Sequence, residues 1–258
     1  MRYSPPVVGL AAAALSRGAR SSVQRNLRRV RGEAPVWRDA LDAARTFTSF
    51  AGALAESLAA GSKNELPLEP VVVGREHMLR ELGGPMIVGT IHSGGWDVLG
   101  SVLAGELELD VVLVMAPERD ERARVVHDEA RARVGVRVLH VGTDPLDALP
   151  LVRHLRSRGV VAMQLDRSPP GMRAIPVRLF DGEGAIPAGP FELARLTGAP
   201  IVNVFCARLG FRRYLVEIHP AIRLARNATP EDAARAAQEV ADRITRFLRA
   251  HPSQWFNF

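Results

Sequence analysis

The chain has 258 residues, 47% of them hydrophobic, and a formal net charge of +6. That length suits one substantial core with a small helical appendage, and the composition excludes a disordered or fibrous chain. The basic charge is almost all arginine, with Lys63 the single lysine. A basic surface suits an anionic partner such as phospholipid head groups, a phosphorylated substrate, an acidic carrier protein or nucleic acid. The bias towards Arg and Ala is also what a GC-rich coding sequence gives. The one cysteine, Cys206, lies in an apolar run, so neither a disulfide framework nor a cysteine-based metal site can form within the chain.

No segment reaches the roughly 18 to 20 apolar residues needed to span a bilayer. Residues 7–15 come nearest and are followed by Arg17, Arg20, Arg25, Arg28, Arg29 and Arg31. A secretory signal has its charge on the other side. The reading is an N-terminal helix lying on a membrane interface, its arginines facing head groups.

Residues 1–65 read as helical, with Ala40, Ala44, Phe47, Ala51, Leu54 and Leu58 at helical spacing. A break at 61–64 and Pro67 and Pro70 separate them from residues 66–258. There the pattern alternates: strand 86–90, helix 96–107, strand 111–115, charged helix 117–133, strand 136–141, helix 145–157 and strand 160–165. Strand 175–180, helix 190–197 and strand 201–208 follow, and 213–218 returns antiparallel. The last helix opens with Thr229 as N-cap, Pro230 and then Asp232 at the third position. The whole is an α/β fold: a mixed, largely parallel central sheet flanked by helices, with an N-terminal helical segment.

The chemistry concentrates in residues 86–97. An apolar strand runs into His92-Ser93-Gly94-Gly95-Trp96-Asp97 and then a helix. Open α/β sheets place ligands at such strand ends, and two glycines permit a tight turn. Across that turn Asp97 can return to the His92 ring, fix its tautomer and leave the other nitrogen free as a general base. With 7 His and 28 acidic residues, about 0.8 such His-x4-acid pairs would arise by chance, so the strand–turn–helix context carries the reading. A histidine that merely satisfies a buried turn is the bland alternative.

This segment resembles the first motif of the lysophospholipid acyltransferase superfamily. The likeness is nearest to its lipid A (late) acyltransferase and phosphatidylinositol-mannoside acyltransferase branch, through His92, Gly94, Trp96 and Asp97. Asp166-Arg167, residues 176–182, the run from Gly189 to Val202 and the tail His251-Pro252-Ser253-Gln254-Trp255 resemble further elements of that branch. The Pro-Glu-Gly-Thr segment of the glycerol-phosphate branches is absent. The resemblance implies an O-acyltransferase that needs no metal or other cofactor and takes acyl-ACP or acyl-CoA as co-substrate. Its other partners would be a lipid or glycolipid acceptor and a membrane surface, with no nucleic acid. It would sit peripherally on the cytoplasmic face of a bacterial inner membrane. His92 would deprotonate the acceptor, Asp97 would orient His92, and backbone N–H groups near Gly94 and Gly95 would meet the oxyanion. Trp96, Asp166, Arg167 and Gly189 would contact substrate. Among rivals, an α/β-hydrolase lacks its Gly-x-Ser-x-Gly elbow here. Nucleic-acid binding has only charge behind it. An inactive membrane-binding homologue and a thioesterase remain the alternatives.

Overall fold

The computed structural model describes residues 4–62, 66–97, 109–116, 120–142, 144–168 and 171–258. It begins with helices α1 (Ser4–Leu15), α2 (Arg17–Arg31) and α3 (Val36–Leu58). α1 carries no charged residue and touches α3 at Gly9, where a Cβ would lie 2.6 Å from the Phe47 carbonyl oxygen. Only a residue without a side chain allows that approach. Val23, Leu27, Ala43 and Phe47 fill the space between the helices.

The arginines of α2 depart from expectation. Arg28 and Arg31 pair with Asp39 at 2.9 and 2.6 Å, and Arg31 also meets Asp42 at 3.2 Å. Arg20 donates to the Ala13 and Ala14 carbonyls, and Arg29 to that of Glu183. Arg28 and Arg31 are thus paired with carboxylates that α3 presents to α2, while Arg20 and Arg29 bond backbone carbonyls; Arg28 and Arg29 remain at the surface. Arg17 and Arg25 stay exposed.

The remaining elements are β1 (Glu69–Val73), α4 (Arg75–Leu79), β2 (Met86–Thr90), β3 (Val111–Met115), α5 (Glu121–Arg133), β4 (Arg137–His140), α6 (Leu149–Arg156), β5 (Val160–Gln164), β6 (Ala174–Leu179), β7 (Gly182–Pro187), α7 (Gly189–Thr197), β8 (Ile201–Gly210), β9 (Arg213–Ile218) and α8 (Pro230–Ala250). Seven strands form one sheet in the order β1-β9-β8-β2-β5-β3-β4. Its neighbours run parallel except β8 and β9, so the mixed, largely parallel sheet is as expected. β2 is buried at every residue, which is why it reads as a continuous apolar run. Ile87, Val161, Ile201 and Phe205 face α6, α7 and α8, while Val88, Leu113, Ala162 and Val204 face the other layer.

Some expectations needed revision. β1 hid behind Pro67 and Pro70; Pro70 is tolerated because β1 is an edge strand. β6 pairs only with the glycine-rich β7, in a separate two-stranded ribbon. Residues 145–148 form a 3-10 turn before α6, which keeps Pro150 within the first α-helical turn. α8 opens with the expected capping box between Thr229 and Asp232. The expected helix beyond Asp97 and the start of the charged helix at 117–119 lie outside the described residues.

One buried carboxylate ties the helical segment to the sheet. Glu56 of α3 accepts from Arg208 Nη2 at 2.6 Å, from the Arg212 backbone N–H at 3.2 Å and from the Tyr214 hydroxyl. Burial, then the Glu56 charge, keeps the Tyr214 phenol protonated well above its usual range. Glu56→Ala strips the shared acceptor from three donors and is expected to lower the unfolding free energy by about 3–5 kcal/mol. Tyr214→Phe should cost about 1 kcal/mol. Urea unfolding at neutral pH reads both.

Candidate active site

β2 and β5 lie side by side in parallel, with Thr90 opposite Gln164. Two residues further along each strand the same register brings His92 beside Asp166. One Asp166 oxygen accepts from the His92 backbone N–H at 3.1 Å and lies 2.9 Å from His92 Nδ1. Its other oxygen accepts from the Trp255 indole N–H at 2.8 Å. Burial by itself would push the Asp166 carboxyl up, but the His92 charge and the hydrogen bonds from His92 and Trp255 hold it below its usual range. A buried carboxylate only accepts, so Nδ1 carries the proton that faces Asp166, and it is Nε2 that can take up or release one. The His92 side chain retains 21% of its surface and lines a cavity.

The turn after His92 is pressed against its surroundings. Gly94 has φ +55°, and a Cβ there would lie 2.1 Å from the Cys206 carbonyl oxygen. A Cβ on Gly95 would lie 2.4 Å from the Tyr214 ring. Both positions therefore require glycine for close approach. Ser93 Oγ donates to the Cys206 carbonyl at 2.9 Å. The tail closes the site from outside: Gly94 N–H donates to the Gln254 carbonyl at 3.2 Å and Phe256 N–H to the His92 carbonyl at 2.7 Å. Arg167 Nη2 donates to the Phe256 carbonyl at 3.2 Å.

Two expectations are corrected. The carboxylate on the His92 ring is that of Asp166, where the sequence reading placed Asp97. Trp96 and Asp97 are helical, and Asp97 turns towards α5, where Arg131 Nε and Nη2 hold its two oxygens at 2.9 and 3.4 Å. Arg131 also meets Asp128 at 3.2 Å and stands 5.5 Å over the Trp96 ring. That ring is edge-on to His92 with centroids 6.0 Å apart. Asp97 thus braces His92 through Arg131 and Trp96. The turn's backbone N–H groups, expected to meet an oxyanion, are also engaged. Gly94 donates to Gln254, and Gly95 and Trp96 donate to the Ser93 carbonyl at 2.6 and 3.0 Å. Arg131 was missed because its helix reads as a solvated, mixed-charge face, yet it is 6% exposed.

The cavity has a volume of about 790 Å³ and opens at the C-terminal ends of β2 to β5, between α6 and α7. Val114, Met115, Val141, Leu151, Val152, Met163 and Leu193 make most of its wall apolar. Arg167 and Gly189 are among its lining residues. Gly94, Gly95, Trp96 and Asp166 are not among its lining residues; they build the turn and the support behind the imidazole. A histidine in the wall of a largely apolar cavity suits chemistry on the polar end of an aliphatic chain.

Three likenesses to known proteins accompany this geometry. Residues 6–258 match the profile of a family described as bacterial lipid A biosynthesis acyltransferase. Two curated Mycobacterium tuberculosis proteins, both phosphatidylinositol mannoside acyltransferases, are similar. The one from strain CDC 1551 / Oshkosh is 27% identical over 191 residues and the one from strain H37Rv is 26% identical over 193. Each match covers 73% of this chain, which spans 58% of the length of each relative. A crystal structure of the 1-acyl-sn-glycerophosphate acyltransferase PlsC from Thermotoga maritima gives a TM-score of 0.44 at 15% identity, covering 90% of this chain and 97% of that one.

The depressed Asp166 ionisation links the site to stability. A carboxyl held below its unfolded value of about 3.9 contributes stability that is full above that pH and lost as pH falls through the folded value. Wild-type stability should therefore decline below about pH 4. Asp166→Asn should be less stable at neutral pH and show a shallower acid decline, measured by urea midpoints between pH 3 and 7.

Proposed function

The chain belongs to the bacterial lipid A biosynthesis acyltransferase family, and from that premise we propose that it is an O-acyltransferase. It moves a fatty acyl group from an acyl thioester, carried by CoA or an acyl carrier protein, to a hydroxyl of a lipid or glycolipid. One observation carries the reading: His92, backed by the buried Asp166, faces an apolar cavity of about 790 Å³.

In this mechanism the acyl chain lies in the cavity with its thioester carbonyl near His92. Nε2 takes the proton of the acceptor hydroxyl as its oxygen attacks the carbonyl carbon. The tetrahedral intermediate expels the sulfur, and the imidazolium returns the proton to the departing thiolate. Asp166 stabilises the imidazolium and holds the ring in place. Asp97 acts at one remove, by fixing Arg131 and Trp96. Apolar walls exclude water, which favours transfer over hydrolysis. The likeness to mycobacterial enzymes named for a mannosylated phospholipid supports an acceptor with a polar, hydroxyl-rich head.

The membrane surface is read from α1. Its exposed Val7, Val8, Leu10 and Leu15, with Val36 and Trp37 at the start of the neighbouring α3, form apolar surface facing solvent. A 12-residue helix is about 18 Å long, short of the ~30 Å hydrocarbon core, so α1 would lie in the interface of one leaflet. No helix among the described residues is long and apolar enough to cross a membrane.

His92→Ala and Asp166→Asn should each lower acyl transfer by about 10² to 10⁴-fold with the fold intact. The assay follows labelled palmitoyl groups from palmitoyl-CoA into lipid; undiminished transfer by His92→Ala would sink the mechanism. Lipid mass spectrometry of a deletion strain against its complemented partner identifies the acceptor. Val8→Asp with Leu15→Asp should weaken co-sedimentation with vesicles of phosphatidylglycerol and phosphatidylethanolamine, and unchanged binding would move the membrane contact elsewhere.

A further inference from the structure

An oxyanion must be met by donors that point at it before the reaction begins. In this site the obvious backbone donors are taken, since the N–H groups of Gly94, Gly95 and Trp96 already bind carbonyls of the protein. We propose that Gln164 and Ser168 supply the missing donors. The side-chain amide of Gln164 and the hydroxyl of Ser168 would bind the thioester carbonyl oxygen and carry the negative charge it develops. This inference rests on the acyl-transfer reading of the same site.

The argument is one of coincidence in a small space. Seven buried side-chain polar atoms lack a hydrogen bond among the described residues, and of these His219 Nε2 still lies 3.0 Å from the Glu217 carboxylate. Of the residues bearing them, only Gln164 and Ser168 line the cavity; Thr90, His140, Asn203, Arg208 and His219 do not. Gln164 and Ser168 stand two residues before and two residues after Asp166, the partner of His92. Gln164 ends β5 opposite Thr90, so the parallel register sets it beside the approach to His92. A buried donor with nothing to bind is unfavourable, and proteins rarely keep one without a use. Two in one cavity wall, flanking the residue that holds the base, are accounted for by an acceptor oxygen arriving with the substrate. Arg167, between them, is held by the Phe256 carbonyl. Both groups would donate hydrogen bonds without giving up a proton.

The test measures kcat and KM for palmitoyl-CoA in Gln164→Leu, Gln164→Glu and Ser168→Ala. The expected result is a fall in kcat of about 10 to 10³-fold for each, with KM little changed and the inflections of the pH–rate profile unmoved. A second measurement is independent of turnover. The carbonyl stretch of [1-¹³C]palmitoyl-CoA bound to the His92→Ala protein should lie below that of the free thioester. Adding Gln164→Leu and Ser168→Ala should return it to the free value. Wild-type transfer together with undiminished kcat in the variants and an unshifted band overturns this inference alone. A wild-type protein that neither binds palmitoyl-CoA nor transfers its acyl group overturns the acyl-transfer reading, and this inference with it.

Discussion

Everything in the site depends on the parallel pairing of β2 with β5. In a parallel pair the chemistry-bearing residues that follow two strands emerge on the same edge of the sheet, at a spacing fixed by backbone hydrogen bonds. Because Thr90 lies opposite Gln164, His92 and Asp166 arrive together although 74 positions separate them in the chain. A slip of one residue would turn the side chains of one strand to the opposite face. The buried apolar residues on both faces of β2 and β5 forbid that slip. Packing of the core therefore sets the alignment of the polar pair.

Around that pair the protein leaves little free to move. The turn after His92 is held against β8 and Tyr214 by glycines that admit no side chain, and the Gln254–Phe256 segment bonds to it from the other side. Gln254 reaches further: its side chain accepts from the Arg208 backbone N–H at 3.0 Å, and Arg208 is bound by Glu56. Helix α3, the sheet edge, the tail and the turn thus share one polar network. The Glu56 and Gln254 side-chain oxygens are bonded within it, and the His92 ring nitrogen away from Asp166 is left for chemistry. Such preorganisation is how a site holds a reactive group in place at no further entropic cost during reaction.

Much of this was legible in the sequence, for identifiable reasons. The buried parallel strands show as apolar runs, and α8 announces itself through Thr229, Pro230 and Asp232. His92 stands out because such a run leads straight into it. The elements that escaped notice have compositions that argue against them: β1 contains a proline and β7 two glycines. The N-terminal helical region divides into three because it breaks at Ser16 and again between Gly32 and Pro35. The acid on His92 was misassigned for a different reason. Asp97 is near in sequence, whereas the position of Asp166 follows from strand register, which local pattern does not encode. Arg131 was hidden likewise, since nothing in a helix of alternating charges marks which arginine is buried. Trp255 was noticed as part of a family-like tail, but its bond to Asp166 needs the fold.

The dependence of His92 on residues 254 to 256 has a consequence for biosynthesis. Ribosomes release a chain from its N-terminus, so β2, β5 and the segments lining the cavity emerge before residues 254 to 256. Until Trp255 arrives, Asp166 lacks one of its donors, and the carbonyl of His92 and the N–H of Gly94 lack their backbone partners. A nascent chain would therefore carry His92 and Asp166 before it carried the residues that complete their support.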